Sequence, residues 1–379
     1  MSKLEKLIQQ YCPDGVEYVR LGDILSVNRG KRLTKTQLSD DGKYYVYHGS
    51  KDTPLGKYSQ FNVKGNTTIV VNTGGIGGVK YCNEDFWCSD GSFWIGHSDL
   101  LNDKYVYYYL SPKENYFASQ KRVGGVPTID RSTVENVEIP VPPLPVQEEI
   151  VRVLDAFTEL QAELQAELQK RKQQYNFYRD NLLSFEGRTD VQWMKLGDVA
   201  YYVKNRITSS SITTSNYVSV ENLLQDKQGK TIASNVPAGC LIHYEPGDVL
   251  IGNIRPYLKK IWLSNGDGGT NGDVLTIRAD RNFLSPEFLY QCLASDDFFQ
   301  YDMNHAKGAK MPRGSKEDVM NYKIPITSLS EQQKIVSILD RFDTLTNDLA
   351  SGLPAEMEKR RQQYEFYRDK LLTFKRKEA

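Results

Sequence analysis

The chain contains one long internal repeat. The stretch KQQYNFYRDNLLSF at 172–185 returns as RQQYEFYRDKLLTF at 361–374, with ten of the fourteen positions identical. Upstream, QEEIVRVLDAF at 147–157 returns as QQKIVSILDRF at 332–342, with six of the eleven positions identical. The matching parts follow the same order in both copies. Two copies of this length are too few for a solenoid, so the pattern indicates a tandem duplication with pseudo-two-fold potential.

Each copy has the pattern of a globular segment followed by a long helix. Both globular segments open on a similar strand, VEYVRLGDI and VQWMKLGDV. Short β-branched and aromatic runs joined by glycine turns follow, and helical stretches come after them. This order predicts an α+β fold for each segment. The predicted parts are an N-terminal helix at 1–15, globular segments at 16–145 and 191–329, and long helices at 146–190 and 330–379.

The long helices carry a heptad-like apolar seam. Apolar residues step by three, four or seven from Ile150 and Leu154 onward, and the second copy opens in the same way at Ile335 and Leu339. This spacing predicts a coiled coil. A run of about 39 residues would be about 58 Å long. The Ser351–Pro354 stretch should kink or break the second helix midway.

Composition excludes several classes of protein. There are 48 Lys+Arg and 48 Asp+Glu, a balance that argues against coating nucleic acid or a membrane by bulk charge. No apolar run approaches the ~18–20 residues of a spanning helix, and the amphipathic N-terminus does not resemble a signal peptide. The five cysteines are scattered and include no CxxC pair, which favours reduced thiols and a cytoplasmic location.

Motifs that carry catalysis are missing from the sequence. No GxxxxGK phosphate loop is present, and the glycine cluster at 74–78 does not satisfy GxGxxG. The Asn/Asp-Pro-Pro-Tyr/Phe tetrad of amino-methyltransferases is also absent. The four histidines are isolated and show no metal-ligand spacing. We therefore expect a protein that is not an enzyme and that uses no cofactor and no metal.

Basic loops beside strands are the candidate nucleic-acid contacts. Residues 29–64 hold eight basic and three acidic side chains, interleaved with tyrosines. Basic groups neutralise phosphates, and arginine, asparagine and tyrosine can contact base edges. A solvated loop face is the alternative and stays open at this stage. The candidate DNA-binding residues are Arg29, Lys31, Arg32, Lys57, Lys80, Lys204, Arg206, Arg255, Lys259 and Lys310.

The duplicated FYRD motif supplies candidate partner contacts. Its tyrosines share one helical face, which is typical of a coiled-coil core, whereas the Arg-Asp pair is expected to lie off that face. Docking of a partner and simple solvation are both compatible with that position. The candidate partner-binding residues are Tyr175, Tyr178, Arg179, Tyr364, Tyr367 and Arg368.

These motifs together resemble those of the specificity (S) subunit of a type I restriction–modification system. The resemblance covers essentially the whole chain and is most specific at Ile139–Phe157 and Ile324–Phe342, where IPxPPLxxQxxIVxxLDxF occurs in both copies. The second copy departs from the pattern, with Thr327, Ser328 and Ser330 in place of prolines. We therefore do not expect the partner sites of the two copies to be related by an exact two-fold axis.

The resemblance implies a specific architecture and set of partners. Each globular segment would be a target recognition domain for double-stranded DNA, and the helices would pair as an antiparallel coiled coil. Two modification (methyltransferase) subunits would bind, with restriction subunits reached through the complex and no membrane involved. Because the two segments differ so much in sequence, we expect an asymmetric, bipartite DNA target. The alternatives are a duplicated scaffold that binds protein or RNA and, more weakly supported, an unrecognised nuclease.

Overall fold

The protein forms two compact units in the computed structural model. The described residues are 3–122, 125–185, 187–347 and 352–378. Unit 1 comprises Met1–Glu163 together with Glu358–Ala379, and unit 2 comprises Leu164–Met357. The last part of the chain thus belongs to the unit that contains the first globular segment.

Unit 1 is a mixed α/β module. Its elements are α1 (Lys3–Tyr11), β1 (Tyr18–Arg20), α2 (Leu21–Ile24), β2 (Val27–Arg29), β3 (Tyr44–Tyr47), β4 (Gly56–Tyr58), β5 (Thr67–Val71), β6 (Val79–Cys82), β7 (Trp87–Cys88), β8 (Ser92–Ile95), α3 (Asp103–Leu110), α4 (Glu114–Ser119), α5 (Arg131–Glu135) and β9 (Glu138–Pro140). An antiparallel sheet has the order β2-β8-β5-β6, and a second sheet has the order β4-β3-β7, with β3 and β7 parallel. Every residue of β5 is buried, as its unbroken β-branched run predicts for a central strand.

Unit 2 repeats this architecture. Its elements are β10 (Gln192–Lys195), α7 (Leu196–Val199), β11 (Ala200–Tyr202), β12 (Arg206–Thr208), β13 (Tyr217–Val218), β14 (Cys240–Tyr244), β15 (Val249–Gly252), β16 (Ile261–Leu263), β17 (Gly268–Thr270), β18 (Val274–Ala279), α8 (Pro286–Leu293), α9 (Asp296–His305), α10 (Lys316–Asn321) and β19 (Lys323–Ile326). The sheet β11-β18-β15-β16 matches β2-β8-β5-β6, and the pair β10-β19 matches β1-β9. The sequence repeat is therefore a repeat of the fold.

The LGDI and LGDV motifs form the same structure in both units. In each, a short strand passes directly into one helical turn, β1 into α2 and β10 into α7. The leucine that opens the turn, Leu21 or Leu196, is fully buried. The strand itself pairs antiparallel with the strand that precedes the long helix. The motif therefore ties the start of each globular segment to its end.

The long helices differ between the two copies. The first is one continuous 41-residue helix, α6 (Leu144–Ser184). The second copy contains α11 (Leu329–Asn347) and α12 (Leu353–Leu371). The predicted interruption falls partly on residues 348–351, which lie outside the described residues. None of the helices in the described part of the chain is long and apolar enough to cross a membrane.

Pairing of these helices is antiparallel. In unit 1, α6 packs on α12 through Phe157 and Tyr367. In unit 2, α6 packs on α11 through Tyr178 and Phe342. The order along α6 is therefore opposite to the order along the helices that it contacts. This confirms the coiled-coil prediction, in which each helix opening meets a helix end.

A buried glutamine anchors the start of each long helix. The side chain of Gln147 accepts a hydrogen bond from the Asn102 N–H at 2.8 Å and donates to the carbonyls of Leu100 and Pro142. Its counterpart, Gln332, makes the same three kinds of bond with the backbone of Ser285, Phe283 and Thr327. Both glutamines are fully buried. A buried amide must be fully bonded, which explains why glutamine occurs in both copies.

Candidate nucleic-acid interface

The first group of candidate residues follows β2 in unit 1. Arg29 ends the strand and donates from Nε to the Asp90 carbonyl at 3.2 Å. The backbone carbonyl of Lys31 accepts from the Trp87 indole at 2.8 Å, so the loop is fixed by its main chain. The side chains of Lys31 and Arg32 are exposed. They are available to an external anion.

Two further candidates lie along one face of β3. The ammonium of Lys57 lies 5.4 Å from the centroid of the Tyr45 ring, and that of Lys80 lies 5.1 Å from the Tyr47 ring. Alternate residues of a strand face the same side, so the two tyrosine rings that these lysines contact lie on one face of β3. A cation–π contact of about 0.5–1 kcal/mol orders such a side chain without neutralising its charge.

In unit 2, Lys204 and Arg206 form the candidate group that precedes and opens β12. Both side chains are exposed. Neither has an ion-pair partner among the described residues. The backbone of Arg206 is held by β14, where it lies opposite Ile242. The sheet thus presents two unneutralised cations.

Arg255 lies on the turn between β15 and β16. Its backbone is left-handed, with φ at 55°, and its N–H donates to the Pro312 carbonyl at 2.7 Å. That bond joins the turn to the loop that carries Lys310, whose side chain is exposed. A left-handed arginine stores backbone strain, and such strain concentrates at functional sites.

A cavity of about 520 Å³ opens beside this turn. Arg255 and Lys260 line it together with amide and carboxylate side chains, Asn235, Asn271 and Glu221 among them. Such groups can contact both phosphates and base edges. The cavity therefore adds polar residues to the candidate set that the search for basic loops did not select.

Lys259 differs from the other basic candidates because it is paired within the protein. Its ammonium lies 3.0 Å from the Asp296 carboxylate. This carboxylate also binds Lys227, at 2.7 Å. The six candidates whose side chains are exposed and unpaired within the described part of the chain are Lys31, Arg32, Lys204, Arg206, Arg255 and Lys310.

The structure corrects the expected position of Arg179. This residue was predicted to lie off the packed face of the helix, but it is only 2% exposed. Its Nη1 donates to the carbonyl of Ala294, which caps the end of α8, at 2.8 Å. Tyr175 is also buried, and its hydroxyl donates to Gln291 at 3.3 Å. The cause is that the end of α6 packs on α8 as well as on α11, so its buried face is wider than a coiled-coil seam.

The counterparts in unit 1 are less buried. Tyr364 packs against the core of that unit, and Tyr367 is 37% exposed. Arg368 pairs with the neighbouring Asp369 at 2.8 Å, with 16% of its side chain exposed. Tyr178 in unit 2 is 39% exposed. The tyrosines at 178 and 367 are therefore the most accessible of the candidate partner contacts.

Two phenylalanines in the same motif were missed by the sequence analysis. Phe177 is 61% exposed and Phe366 is 63% exposed. Each meets the ring of the following tyrosine edge-on, at 5.8 Å and 5.4 Å. A large exposed apolar side chain repeated in both copies is typical of a docking surface. The sequence does contain a signal for this surface: a phenylalanine occurs in both copies of the motif, immediately before a tyrosine of the predicted seam.

Behind the Arg255 turn lies a buried polar pair. Asp302 is 1% exposed, and neither of its carboxylate oxygens has a hydrogen-bond partner among the described residues. Burial raises the pKa of Asp302 to about 6, an effect that the nearby His305 only partly offsets. The side-chain oxygen of Asn253, two residues before Arg255, is also buried without a partner. Protonation of Asp302 therefore falls within an accessible pH range.

Metal ligands are not clustered in the part of the chain that the structure describes: no group of three or more His, Cys, Asp or Glu side chains is placed to hold an ion. The histidines have separate protein partners. His97 Nδ1 lies 2.8 Å from Asp103, and His305 Nδ1 lies 2.8 Å from the Tyr301 carbonyl.

Comparison with known proteins assigns the family. The model of the type I restriction modification DNA specificity domain matches residues 13–171 and again residues 188–359. The chain belongs to this specificity family. The Escherichia coli EcoR124I/EcoR124II specificity subunit is 32% identical, over 100% of this chain and 98% of its own length. A putative type I specificity subunit of Haemophilus influenzae is 28% identical, over 98% of both chains. The scaffold and nuclease alternatives are not favoured by these matches.

Solved structures support the specificity-subunit fold. The S subunit of a type I restriction–modification system from Mycoplasma genitalium aligns with a TM-score of 0.58 at 18% identity, covering 94% of this chain and 96% of that one. A chain from a study of complex assembly in a type I system aligns with a TM-score of 0.55 at 17% identity, covering 96% of this chain and 98% of that one. At such identities the likeness concerns the fold alone.

Proposed function

We propose that the chain is the DNA-reading subunit of a type I restriction–modification complex and that it recognises an asymmetric, bipartite target. The segments at 16–145 and 191–329 would each read one half of that target. The observation that carries this proposal is the repeated topology with different loops: the sheets β2-β8-β5-β6 and β11-β18-β15-β16 correspond. Two domains that share one architecture but carry different contact residues can recognise two different half-sites.

We infer that the unpaired cations contact the DNA. Lys31 and Arg32 would serve the first half-site. The second half-site would be served by Lys204, Arg206, Arg255 and Lys310. Phosphate contacts fix position, and contacts to base edges supply specificity. Arg255 is the best candidate for a base contact because the strained turn and the bond to Pro312 hold its backbone rigidly. Lys57 and Lys80, ordered over tyrosine rings, suit phosphate contacts.

The helices would dock the modification subunits. Phe177 and Phe366 occupy equivalent repeat positions and are similarly exposed, which supports two copies of one partner. Exposed aromatic side chains are frequent anchors of interfaces. Restriction subunits would join through that complex, and the chain itself would be non-catalytic. Methyl transfer or cleavage by the isolated chain would contradict that last point.

Methylome sequencing tests the proposal. Cells with and without the gene, both containing the partner subunits, should differ by one bipartite methylation motif. Replacing only the segment at 191–329 with that of a related subunit should change one half of the motif and leave the other half intact. An unchanged methylome would contradict the assigned function, and a change in both halves would contradict modular reading.

A further inference from the structure

A cavity of about 280 Å³ lies in unit 2 between the last part of α6 and two loops. Its volume is far above the ~10–15 Å³ that one water needs. Four cationic side chains line it, against two carboxylates, Asp226 and Asp296. The four cations are Lys172, Arg179, Lys227 and Lys259. This composition leaves an excess of positive charge in a partly enclosed space.

The first notable cation of the cavity is Arg179, which is buried and has no carboxylate within ion-pair distance among the described residues, although the adjacent Asp180 interacts with it electrostatically. Its two terminal nitrogens bond neutral groups, the Ala294 carbonyl at 2.8 Å and the Asn176 amide oxygen at 2.6 Å. Its Nε is buried without an acceptor. Burying an uncompensated charge is costly. An external anion would supply the missing compensation.

The two loop lysines share one carboxylate. Lys227 and Lys259 both contact the same Asp296 oxygen, at 2.7 and 3.0 Å. Burial and the nearby Arg179 lower the pKa of Lys227 to about 8. Both lysines have left-handed backbones, and the Lys227 N–H donates to the Lys259 carbonyl at 3.0 Å. The protein therefore holds two cations together in a strained and fixed arrangement.

In the other copy of the repeat, carboxylates neutralise the residue that corresponds to Lys172. Lys172 corresponds to Arg361, whose guanidinium pairs with Glu358 at 2.8 Å and with Glu365 at 2.7 Å. At the positions of those two glutamates the first helix has Gln169 and Asn176. Lys172 accordingly has no ion-pair partner among the residues described. At the edge of this cavity, the first helix therefore lacks the two carboxylates that neutralise Arg361 in the second copy.

The other cations of the cavity also differ from their counterparts in unit 1 in how they are paired. Arg368, the counterpart of Arg179, pairs with Asp369. At the start of α4, Glu114 binds a single lysine, Lys51, through both of its oxygens at 2.7 Å. At the start of α9, one Asp296 oxygen contacts two lysines. At the corresponding positions, unit 1 pairs its cations with carboxylates, whereas Lys172 and Arg179 of unit 2 have no ion-pair partner among the described residues.

We propose that this cavity of unit 2 binds a phosphate group. Arginine and lysine side chains are the usual phosphate ligands, and Lys172 of α6 and Lys227 of the 226–228 loop both line the cavity. The phosphate can come from a small free phosphate compound or from a DNA backbone. Lys259 belongs to the same loop as Arg255, so an occupied cavity would also steady the Arg255 turn.

Calorimetric titration of the full chain with sodium phosphate tests the site, with sodium chloride at matched ionic strength as the reference. We expect saturable binding to the wild-type chain. Asn176→Glu restores the carboxylate found at position 365 of the other copy, so it should weaken phosphate binding at least about tenfold. Asn176→Gln keeps a neutral amide and should bind as wild type. Glu365→Asn, the reciprocal change in unit 1, should not lose binding.

Competition with duplex DNA identifies the source of the phosphate in the assembled complex. For a backbone phosphate, Asn176→Glu weakens DNA binding, and inorganic phosphate displaces DNA more than matched chloride does. For a free phosphate compound, both ligands bind together and the variant keeps its DNA affinity. Either result supports the site. The phosphate site would be overturned by equal heats from phosphate and chloride with the wild-type chain. It would also be overturned if a folded Asn176→Glu variant bound phosphate as tightly as wild type. Neither outcome depends on the result of the methylome test.

Discussion

Phe157 stacks on Tyr367 in unit 1, with ring centroids 5.6 Å apart and ring planes 24° apart. In unit 2, Tyr178 stacks on Phe342 at 5.3 Å and 24°. Phe342 is the repeat counterpart of Phe157, and Tyr367 is the counterpart of Tyr178. The same contact therefore forms twice, with the two helices exchanging roles. This exchange explains why LDxF and FYRD, far apart in sequence, are both kept in both copies.

The stacked pair should be energetically coupled. Offset aromatic stacking contributes about 0.5–1.5 kcal/mol beyond buried area, so a double-mutant cycle of Phe157→Leu and Tyr367→Leu should give a coupling energy near 1 kcal/mol, measured by urea unfolding. The cycle of Phe157→Leu and Tyr178→Leu is the control, because these residues lie about 31 Å apart along one helix. Coupling of equal size in both cycles would show that the contact is not specific.

Gln332→Leu should strongly destabilise unit 2. The change removes one acceptor and two donors from a fully buried site and leaves the Ser285 N–H and the carbonyls of Phe283 and Thr327 unpaired. Each such loss costs about 1–3 kcal/mol, so we expect a loss of at least about 3 kcal/mol in the free energy of unfolding. Gln173→Leu on the exposed face of α6 should stay within about 0.5 kcal/mol. A similar effect of both variants would contradict the anchoring role.

Much of the fold could be predicted because repetition, helical periodicity and strand composition are local signals. The α+β class and the coiled-coil seam of the long helices follow from such patterns, whereas the antiparallel direction of the pairing follows from the family resemblance. Glycine and proline predict the break near Ser351–Pro354, and residues 348–351 lie outside the described structure.

The environment of individual charges could not be predicted, because tertiary contacts determine it. The helical period places Arg179 outside the seam, yet the end of α8 covers it. Lys259 belongs to a basic run, yet α9 supplies a carboxylate to it. Neither α8 nor α9 is adjacent in sequence to the residue that it contacts. Sequence spacing alone therefore does not distinguish an available cation from a paired one.

Asp302 should make the stability of unit 2 depend on pH. Its pKa is about 6 in the folded protein, above its ordinary value, so the folded form keeps a proton that the unfolded form releases. The resulting stabilisation is complete below about pH 4 and is lost as pH rises through 6. Relative to Asp302→Asn, wild type should lose about 1 kcal/mol of unfolding free energy between pH 5 and pH 7. Parallel pH profiles for the two proteins in urea unfolding would refute this assignment.

Phe177 and Phe366 should each anchor one modification subunit. Both side chains are mostly exposed, so replacing either with serine should leave the stability of the free chain nearly unchanged. Loss of an aromatic anchor commonly weakens an interface by more than about 2 kcal/mol. Native mass spectrometry should then show complexes with one modification subunit for each single variant and none for the double variant. Two subunits retained by the double variant would exclude these anchors.

Arg206 should contribute to the salt dependence of DNA binding. Its side chain is exposed and has no ion-pair partner in the described part of the structure. Each neutralised phosphate contributes about 0.9 to the slope of log Kobs against log salt concentration. Arg206→Ala in the assembled complex should therefore lower that slope by about one and weaken binding to all sequences similarly. Arg188→Ala is the matched control, because Arg188 is already paired with Asp190 and Glu331 and should leave the slope unchanged. A loss confined to one base position would instead identify Arg206 as a base contact.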